Sequence, residues 1–360
     1  MDALRGIAMW LGVVLHAVIA YQTEPRAGWP QDANRWLGMD YIYVYLHAFR
    51  MPLFFLVAGF FAHFLSQKIG LSAFLQHRWK RIVIPFVLSI IFIVPLCSFV
   101  FSLKNVLSTG GVDNVFVEVL NQMPLWSGFY HLWFLYYLIL FYVIQVTCQS
   151  LNFSKVEAVK FNEGLFWAST LFLVGVQYYF YKGPVEAWTG LIPKAGQIVY
   201  YGYFYLLGFL IFGNPDFLFA HKTIRYSCLA AGILLIPCII HFYDDLNHLG
   251  QSALLSFQTN LLIIGHIALF MHLFKNPSKR VRYLSDASYW FYLIHLPLVV
   301  VFQLYFLQFD WAPWIKALLN IAITTFISLI SYDYLVRYTW IGRQLNGSKK
   351  RGTSLRSIKM

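Results

Sequence analysis

Residues 1–21 read MDALRGIAMWLGVVLHAVIAY. Apart from Asp2, Arg5 and His16, this is an apolar run long enough to enter a bilayer as a helix. Arg5 lies near one end and His16 deep in the run. An ionisable side chain inside such a helix costs several kcal/mol unless it has a partner or water, so the pair points to function. At about 1.5 Å per residue, the eleven steps from Arg5 to His16 cover roughly 16 Å of helix. The two groups therefore sit at different depths of one membrane.

The remainder of the 360 residues is equally apolar: 59% hydrophobic and 12% charged, against about 25% charged in soluble domains. Apolar runs recur along the whole length. They predict an all-α, polytopic integral membrane protein of about ten transmembrane helices, at 3–21, 41–64, 82–103, 131–149, 164–181, 196–213, 224–241, 252–274, 287–307 and 313–337. The first run lacks a basic leader and a small-residue cleavage site, so no cleaved signal is expected. Cys97, Cys148, Cys228 and Cys238 lie in or beside apolar runs without paired spacing, which predicts neither a disulfide framework nor a zinc site.

The net charge of +12 would suit nucleic acid, but its placement does not. Basic residues gather in alternate connections: Lys68, Arg78, Lys80 and Arg81; Lys155 and Lys160; Lys222 and Arg225; Lys275, Lys279, Arg280 and Arg282; and the tail from 343 to 360. The other connections hold only Arg26, Arg35, Lys104, Lys182 and Lys194. The positive-inside rule then puts both termini in the cytoplasm. The basic excess is explained by topology and anionic lipid, and no nucleic-acid partner is expected.

Two groups of residues can carry chemistry. The cytoplasmic group is Arg5 with Arg78, Lys80 and Arg81 of HRWKRIVIP; guanidinium forks suit phosphates. Its plainer reading is an ordinary basic flank. The embedded group is His16, His47, Arg50 and His295, with His131 at the mouth of the fourth run. Histidine works as a general base near neutral pH, as acyl transfer to a hydroxyl requires. A single embedded histidine would instead read as a helix-packing hydrogen bonder, which is the reading given to His63 and His266. For His295 a carbonyl freed by Pro297 offers such a partner, and His131 also reads as an interface residue. No metal-ligand spacing is present, so no metal is expected. Trp29, Trp36, Tyr41, Trp126 and Tyr130 can stack on sugar rings or belong to an interfacial aromatic belt. Gly59, within FRMPLFFLVAGFFA, reads as a packing glycine.

The opening MDALRGIAMWLGVVLHA resembles the first helix of the membrane acyltransferase-3 family. HAFRMPLFFLVAGFFA (47–62) resembles its second-helix signature, HRWKRIVIP (77–85) its arginine-x-x-arginine element, and HLWFLYYL (131–138) and SDASYWFYLIHLPLVV (285–300) extend the match. The details look most like a branch that succinylates periplasmic glucans. The resemblance implies a transmembrane acyltransferase domain over 1–342 and a basic cytoplasmic tail over 343–360, with no hydrolase-like domain after the tenth helix. It implies an acyl-CoA donor, succinyl-CoA for that branch, used as substrate with no tightly bound cofactor. It implies a glucan or other carbohydrate acceptor on the far side. Residue by residue, Arg5 and His16 match the first-helix arginine and catalytic histidine, and Arg78 and Arg81 match the donor-binding pair. The second-helix match gives His47 and Arg50 as catalytic. The residues themselves, apart from the resemblance, put Lys80 with the donor phosphates and His131 and His295 on the substrate. His16 would act as base or as a covalent acyl carrier. The rival reading is a transporter of a small anion or glycan precursor; against it, no internal repeat or paired broken helices are seen.

Overall fold

Helices of apolar residues turn their backbone polarity inward and are the natural solution for a chain this hydrophobic. The structure, a computed structural model, describes residues 2–111, 113–151, 160–214, 217, 222–274, 276 and 278–347. For Asp2, Arg5, Lys222, Thr223 and Asn346 it describes the backbone alone. The described residues form an all-helical bundle. Its long helices are α1 (Asp2–Val18), α2 (Leu37–Ile69), α4 (Ile84–Thr109), α6 (Trp133–Ser150), α7 (Glu163–Phe180), α8 (Ala195–Gly213), α9 (Lys222–Phe242), α10 (His248–Leu273), α11 (Lys279–Phe306) and α12 (Pro313–Ser331). Shorter helices are α3 (Leu71–Arg78), α5 (Val115–Gln122) and α13 (Trp340–Asn346). Each of the ten predicted runs coincides with one long helix.

Among the described residues, eight stretches are by length and composition helical and apolar enough to cross a membrane, and Gly6–Tyr21 is a shorter apolar helix. The remaining long helix, α7, ends in the tyrosine-rich run whose Tyr178 and Tyr179 are exposed. Large apolar side chains point outward on the flanks, among them Phe92 of α4, Leu171 of α7, Leu234 of α9 and Phe326 of α12. Exposed apolar surface of this extent is what a hydrocarbon surround requires. The predicted tail lies mostly outside the described residues: α13 and Gly347 are described, 348–360 are not.

Between helices, lipid supplies no hydrophobic drive, so close backbone approach and polar contacts hold the bundle. The α2–α8 crossing shows the first. A Cβ on Gly59 would lie 1.9 Å from the Tyr205 carbonyl oxygen, and one on Gly208 would lie 1.8 Å from that of Leu56. The packing role read for Gly59 is thus reciprocal with Gly208. Polar contacts are buried elsewhere: Thr259 Oγ1 donates to the Ala48 carbonyl (3.0 Å), Asn260 Nδ2 to Thr170 Oγ1 (2.9 Å), and Asn320 Nδ2 to the Val299 carbonyl (2.9 Å). α1 packs chiefly along α11.

A Cβ at Gly208 meets backbone, which cannot step aside cheaply. Gly208→Ala should therefore cost about 1–3 kcal/mol by overpacking and lower the melting temperature of the purified protein. Gly175→Ala is the control, because nothing lies within 4 Å of that position. Equal melting temperatures for the two variants would contradict the close crossing.

Candidate active site

α1 ends in a single 3-10 turn, Ile19–Tyr21, after which the chain reverses across the end of the bundle. Loop 22–36 is tied back by Asp32 N–H donating to Ala20 O (2.9 Å) and Trp36 N–H to Tyr21 O (3.0 Å). The Asp32 carboxylate takes Lys316 Nζ from α12 at 2.8 and 3.0 Å, with both side chains almost fully buried. Asn34 Nδ2 reaches Asp310 at 2.6 Å. These anchors set the Trp29 indole flat on the His16 ring, with centroids 5.3 Å apart and planes inclined by 10°.

On its other side His16 meets His295 at 5.3 Å, and His295 meets His131 at 5.0 Å. Trp29, His16, His295 and His131 thus form one continuous row of rings drawn from a loop, α1, α11 and the 3-10 turn Tyr130–Leu132. His295 Nδ1–H donates to the Tyr292 and Phe291 carbonyls at 2.8 and 3.1 Å, which leaves the Nε2 lone pair free. His131 Nε2–H donates to the Leu293 carbonyl (3.0 Å), which leaves Nδ1 free. Tyr292 O–H donates to the His131 carbonyl (2.7 Å) and fixes that turn. The nitrogens His16 Nδ1, His131 Nδ1 and His295 Nε2 are buried and have no hydrogen-bond partner. Gln303 Nε2 donates to the His16 carbonyl (2.8 Å) and holds the end of α1 against α11.

Arg50 enters from α2. Its Nε is buried without a partner, and no ion pair to it exists among the described residues. Its Nη1 lies where Gly12 leaves room, since a Cβ there would be 2.7 Å away. His47, one turn earlier, stacks on Tyr43 (5.1 Å) and sits 3.7 Å from Glu186 Oε2. Glu186 also accepts from Arg26 Nη1 (2.8 Å), and the Arg26 guanidinium lies 3.9 Å over the Tyr43 ring. All these groups line one cavity of about 630 Å³. Tyr130 lines it too, with a left-handed backbone (φ 47°), its ring on Phe101 and its hydroxyl 3.2 Å from Ser98 Oγ. A non-glycine residue there is strained, and such strain concentrates at ligand sites.

The structure therefore brings His16, His47, Arg50, His131 and His295 to one cavity. It places the basic group apart. The cavity reaches toward that end no farther than Met9 on α1 and Phe54 on α2, and none of Arg78, Lys80 and Arg81 lines it. Arg78 lies over Phe74 (5.0 Å) and Tyr142 (4.9 Å), with its Nε buried and unpartnered. Lys80 is exposed, and the Arg81 guanidinium packs against Gly347 beyond α13. A π-helical turn, Trp79–Val83, starts right after Arg78 and contains Arg81, so the two do not share the regular α-helical spacing of an arginine-x-x-arginine element. The Arg5 side chain lies outside the described residues. His63 and His266 are packing residues: His63 Nδ1–H donates to the Phe209 carbonyl (2.8 Å) and His266 Nδ1–H to that of Leu262 (2.7 Å). Among the described residues no cluster of three His, Cys, Asp or Glu is arranged for a metal.

Glu186 and Arg26 were not legible as site residues, because 160 positions of chain separate them and both stand in loops. In the sequence Trp29 is one of several loop aromatics; in the structure it is the ring on His16. Trp36 and Trp126 are exposed, and Tyr41 hydrogen-bonds His241 (2.9 Å).

The chain belongs to the acyltransferase-3 family, whose sequence profile, described as an acyltransferase domain, matches residues 1–333. It is 25% identical to glucans biosynthesis protein C of Salmonella heidelberg (strain SL476) over 94% of this chain and 91% of that protein. The same identity and coverage hold for the proteins of that name from Salmonella typhi and Salmonella typhimurium. No solved structure matches. Family membership and the apolar helices together make it a multi-pass membrane acyltransferase.

Partial burial opposes ionisation of Glu186, but the charges of His47 and Arg26 and the hydrogen bond from Arg26 outweigh it, so its carboxyl is held below its usual value. A depressed carboxyl stabilises the fold above its unfolded value, about 4.3, and that contribution is lost as pH falls through the folded value. At pH 7 the wild type should melt on the order of 1–2 °C above Glu186→Gln, as expected of a partly exposed pair. The gap should close below about pH 4. A gap that persists in acid would contradict the assignment.

Proposed function

We propose that this chain moves an acyl group, succinyl by preference, from acyl-CoA to a hydroxyl of a glucan or related carbohydrate. The observation that carries this reading is the cavity itself: three histidine nitrogens and an arginine without an acid partner converge where a small acyl group fits. In the reaction, His16 takes the proton of an acceptor hydroxyl. The oxygen attacks the thioester carbonyl, the C–S bond breaks, and the CoA sulfur leaves with the proton returned by His16. Trp29 and His295 hold the His16 ring between them. Arg50 is the cation available either to the oxyanion or to a succinyl carboxylate. His131 and His295 offer lone pairs that accept hydrogen bonds from the incoming hydroxyl.

The donor nucleotide is assigned to the opposite end, with Arg5, Arg78, Lys80 and Arg81 around its phosphates and the acyl arm running past Met9 and Phe54 toward His16. The buried, partnerless Nε of Arg78 supports that assignment. The alternating loop charges support a cytoplasmic donor end and a histidine cavity facing the periplasm. The relatives' name supports a glucan acceptor. Family membership weighs against transport without chemistry.

Purified protein with labelled succinyl-CoA and a glucan oligosaccharide should yield labelled glucan. His16→Ala should slow this by about 10²–10⁴-fold, the usual contribution of a positioned base. Arg50→Ala should reduce the preference for succinyl-CoA over acetyl-CoA about tenfold or more, the value of a lost charge-assisted contact. Undiminished transfer by His16→Ala would overturn the mechanism, and an unchanged preference in Arg50→Ala would remove the succinyl role.

For the donor end, the double variant Arg78→Ala, Arg81→Ala should raise the KM for succinyl-CoA about tenfold or more while leaving that for the glucan unchanged. An unaltered donor KM would place the nucleotide elsewhere.

A further inference from the structure

The histidine cavity shares a wall with a second chamber of about 760 Å³ at the same end of the bundle. The residues common to both are Arg26, Ala27, Trp29, Tyr43 and Glu186. The wall is thin: the Arg26 guanidinium lies 3.9 Å over Tyr43 and 2.8 Å from Glu186 Oε1. Arg26 belongs to loop 22–36 and Glu186 to loop 181–194, so parting them moves two side chains and no helix. Arg26 and Glu186 are 30% and 59% exposed, so water can replace each partner when the pair parts.

The chamber's own lining mixes flat apolar surface with hydrogen-bonding groups. Leu37, Pro25, Ile239 and Trp29 supply the first; Glu24, the acceptor side of the Thr23 hydroxyl that donates to Asp40 and the His241 ring nitrogen that is not bonded to Tyr41 supply the second. A sugar ring has the same two-sided character, with C–H faces and a rim of hydroxyls. The charge is selective as well. Glu24, Asp40 and Glu186 line the chamber against Arg26, which Glu186 already holds. Arg35 stands behind the Thr23 carbonyl (3.3 Å) and is not part of the lining. A phosphorylated or carboxylated ligand would be repelled there, whereas an uncharged one would not.

We propose that this outer chamber is a binding subsite for an uncharged carbohydrate acceptor, and that the Arg26–Glu186 pair is the movable wall through which the acceptor hydroxyl reaches His16. The inference rests on the acyl-transfer reading above and adds to it where the acceptor is held and what charge it carries. Trp29 joins the two spaces, since it lines both and stacks on His16. A sugar seated in the chamber is thus one side chain away from the base.

The test uses residues of the chamber that do not line the histidine cavity. In wild-type protein the KM for a neutral glucan oligosaccharide and for succinyl-CoA are measured separately, together with hydrolysis of succinyl-CoA in the absence of acceptor. Glu24→Ala and His241→Ala should each raise the glucan KM about threefold to tenfold, the value of a lost hydrogen bond. Leu37→Trp, which fills the chamber from the exposed start of α2, should raise it further. The donor KM and the hydrolysis rate should stay at the wild-type values, which also shows that the variants are folded. A glucan KM unchanged in all three variants, or one that moves only together with the donor KM, overturns the subsite. If wild-type protein hydrolyses succinyl-CoA but transfers it to no glucan, the functional reading itself fails, and the subsite falls with it.

Discussion

The ion pair between Asp32 and Lys316 decides the shape of the site. Neither side chain has appreciable contact with solvent, and the two atoms of the carboxylate lie 2.8 and 3.0 Å from one ammonium. Breaking a buried pair by removing one partner costs about 3–5 kcal/mol, because a charge is stranded. That cost holds loop 22–36 against the start of α12. Everything the loop carries follows from it: Trp29 lies on His16, Arg26 lies on Tyr43, and Glu186 is drawn across from a loop more than 150 residues away. The walls of the histidine cavity are set by helices, but its roof is set by this one contact.

Beneath the roof, the economy of polar groups separates structure from function. Within a bundle of this kind an unsatisfied polar atom is costly, and most buried polar side chains find partners on neighbouring helices. His63 and His266 follow that rule, with carbonyl partners and aromatic neighbours. His16, His131, His295 and Arg50 each keep a buried nitrogen without one, on the wall of a single cavity. For His131 and His295 the tautomer is fixed by a backbone carbonyl on one nitrogen, so the other presents a lone pair. A set of aligned acceptors beside an uncompensated cation is suited to a hydroxyl and a carbonyl or carboxylate at the same time.

Much of the fold was legible because lipid imposes a simple rule: about twenty apolar residues make a helix. Each of the ten runs coincides with a long helix, and among the described residues eight stretches meet that rule in full. Their ends were less legible. α11 begins at Lys279 rather than 287, because a helix can continue through KRVRYLSD once it leaves hydrocarbon. α2 likewise extends from Leu37 to Ile69. Of the site, the groups on helices were readable, since an ionisable residue in an apolar run declares itself. The neighbour of His16 was not. Packing of α1 along α11 puts His295 against it. The Arg26–Glu186 pair, the stacking of Trp29 and the π turn at Trp79–Val83 depend on tertiary contacts that no local pattern encodes.

In the proposed reaction the acyl carbonyl lies beside His16 and the acyl terminus beside Arg50. The most direct measurement is a structure of the protein bound to a non-reactive thioether analogue of succinyl-CoA. It should show the succinyl carbonyl within hydrogen-bonding reach of His16 or Arg50, the carboxylate in the histidine cavity, and the nucleotide phosphates among Arg78, Lys80 and Arg81. An analogue whose acyl end lies outside that cavity, with His16 facing no part of it, would rule out acyl transfer at His16.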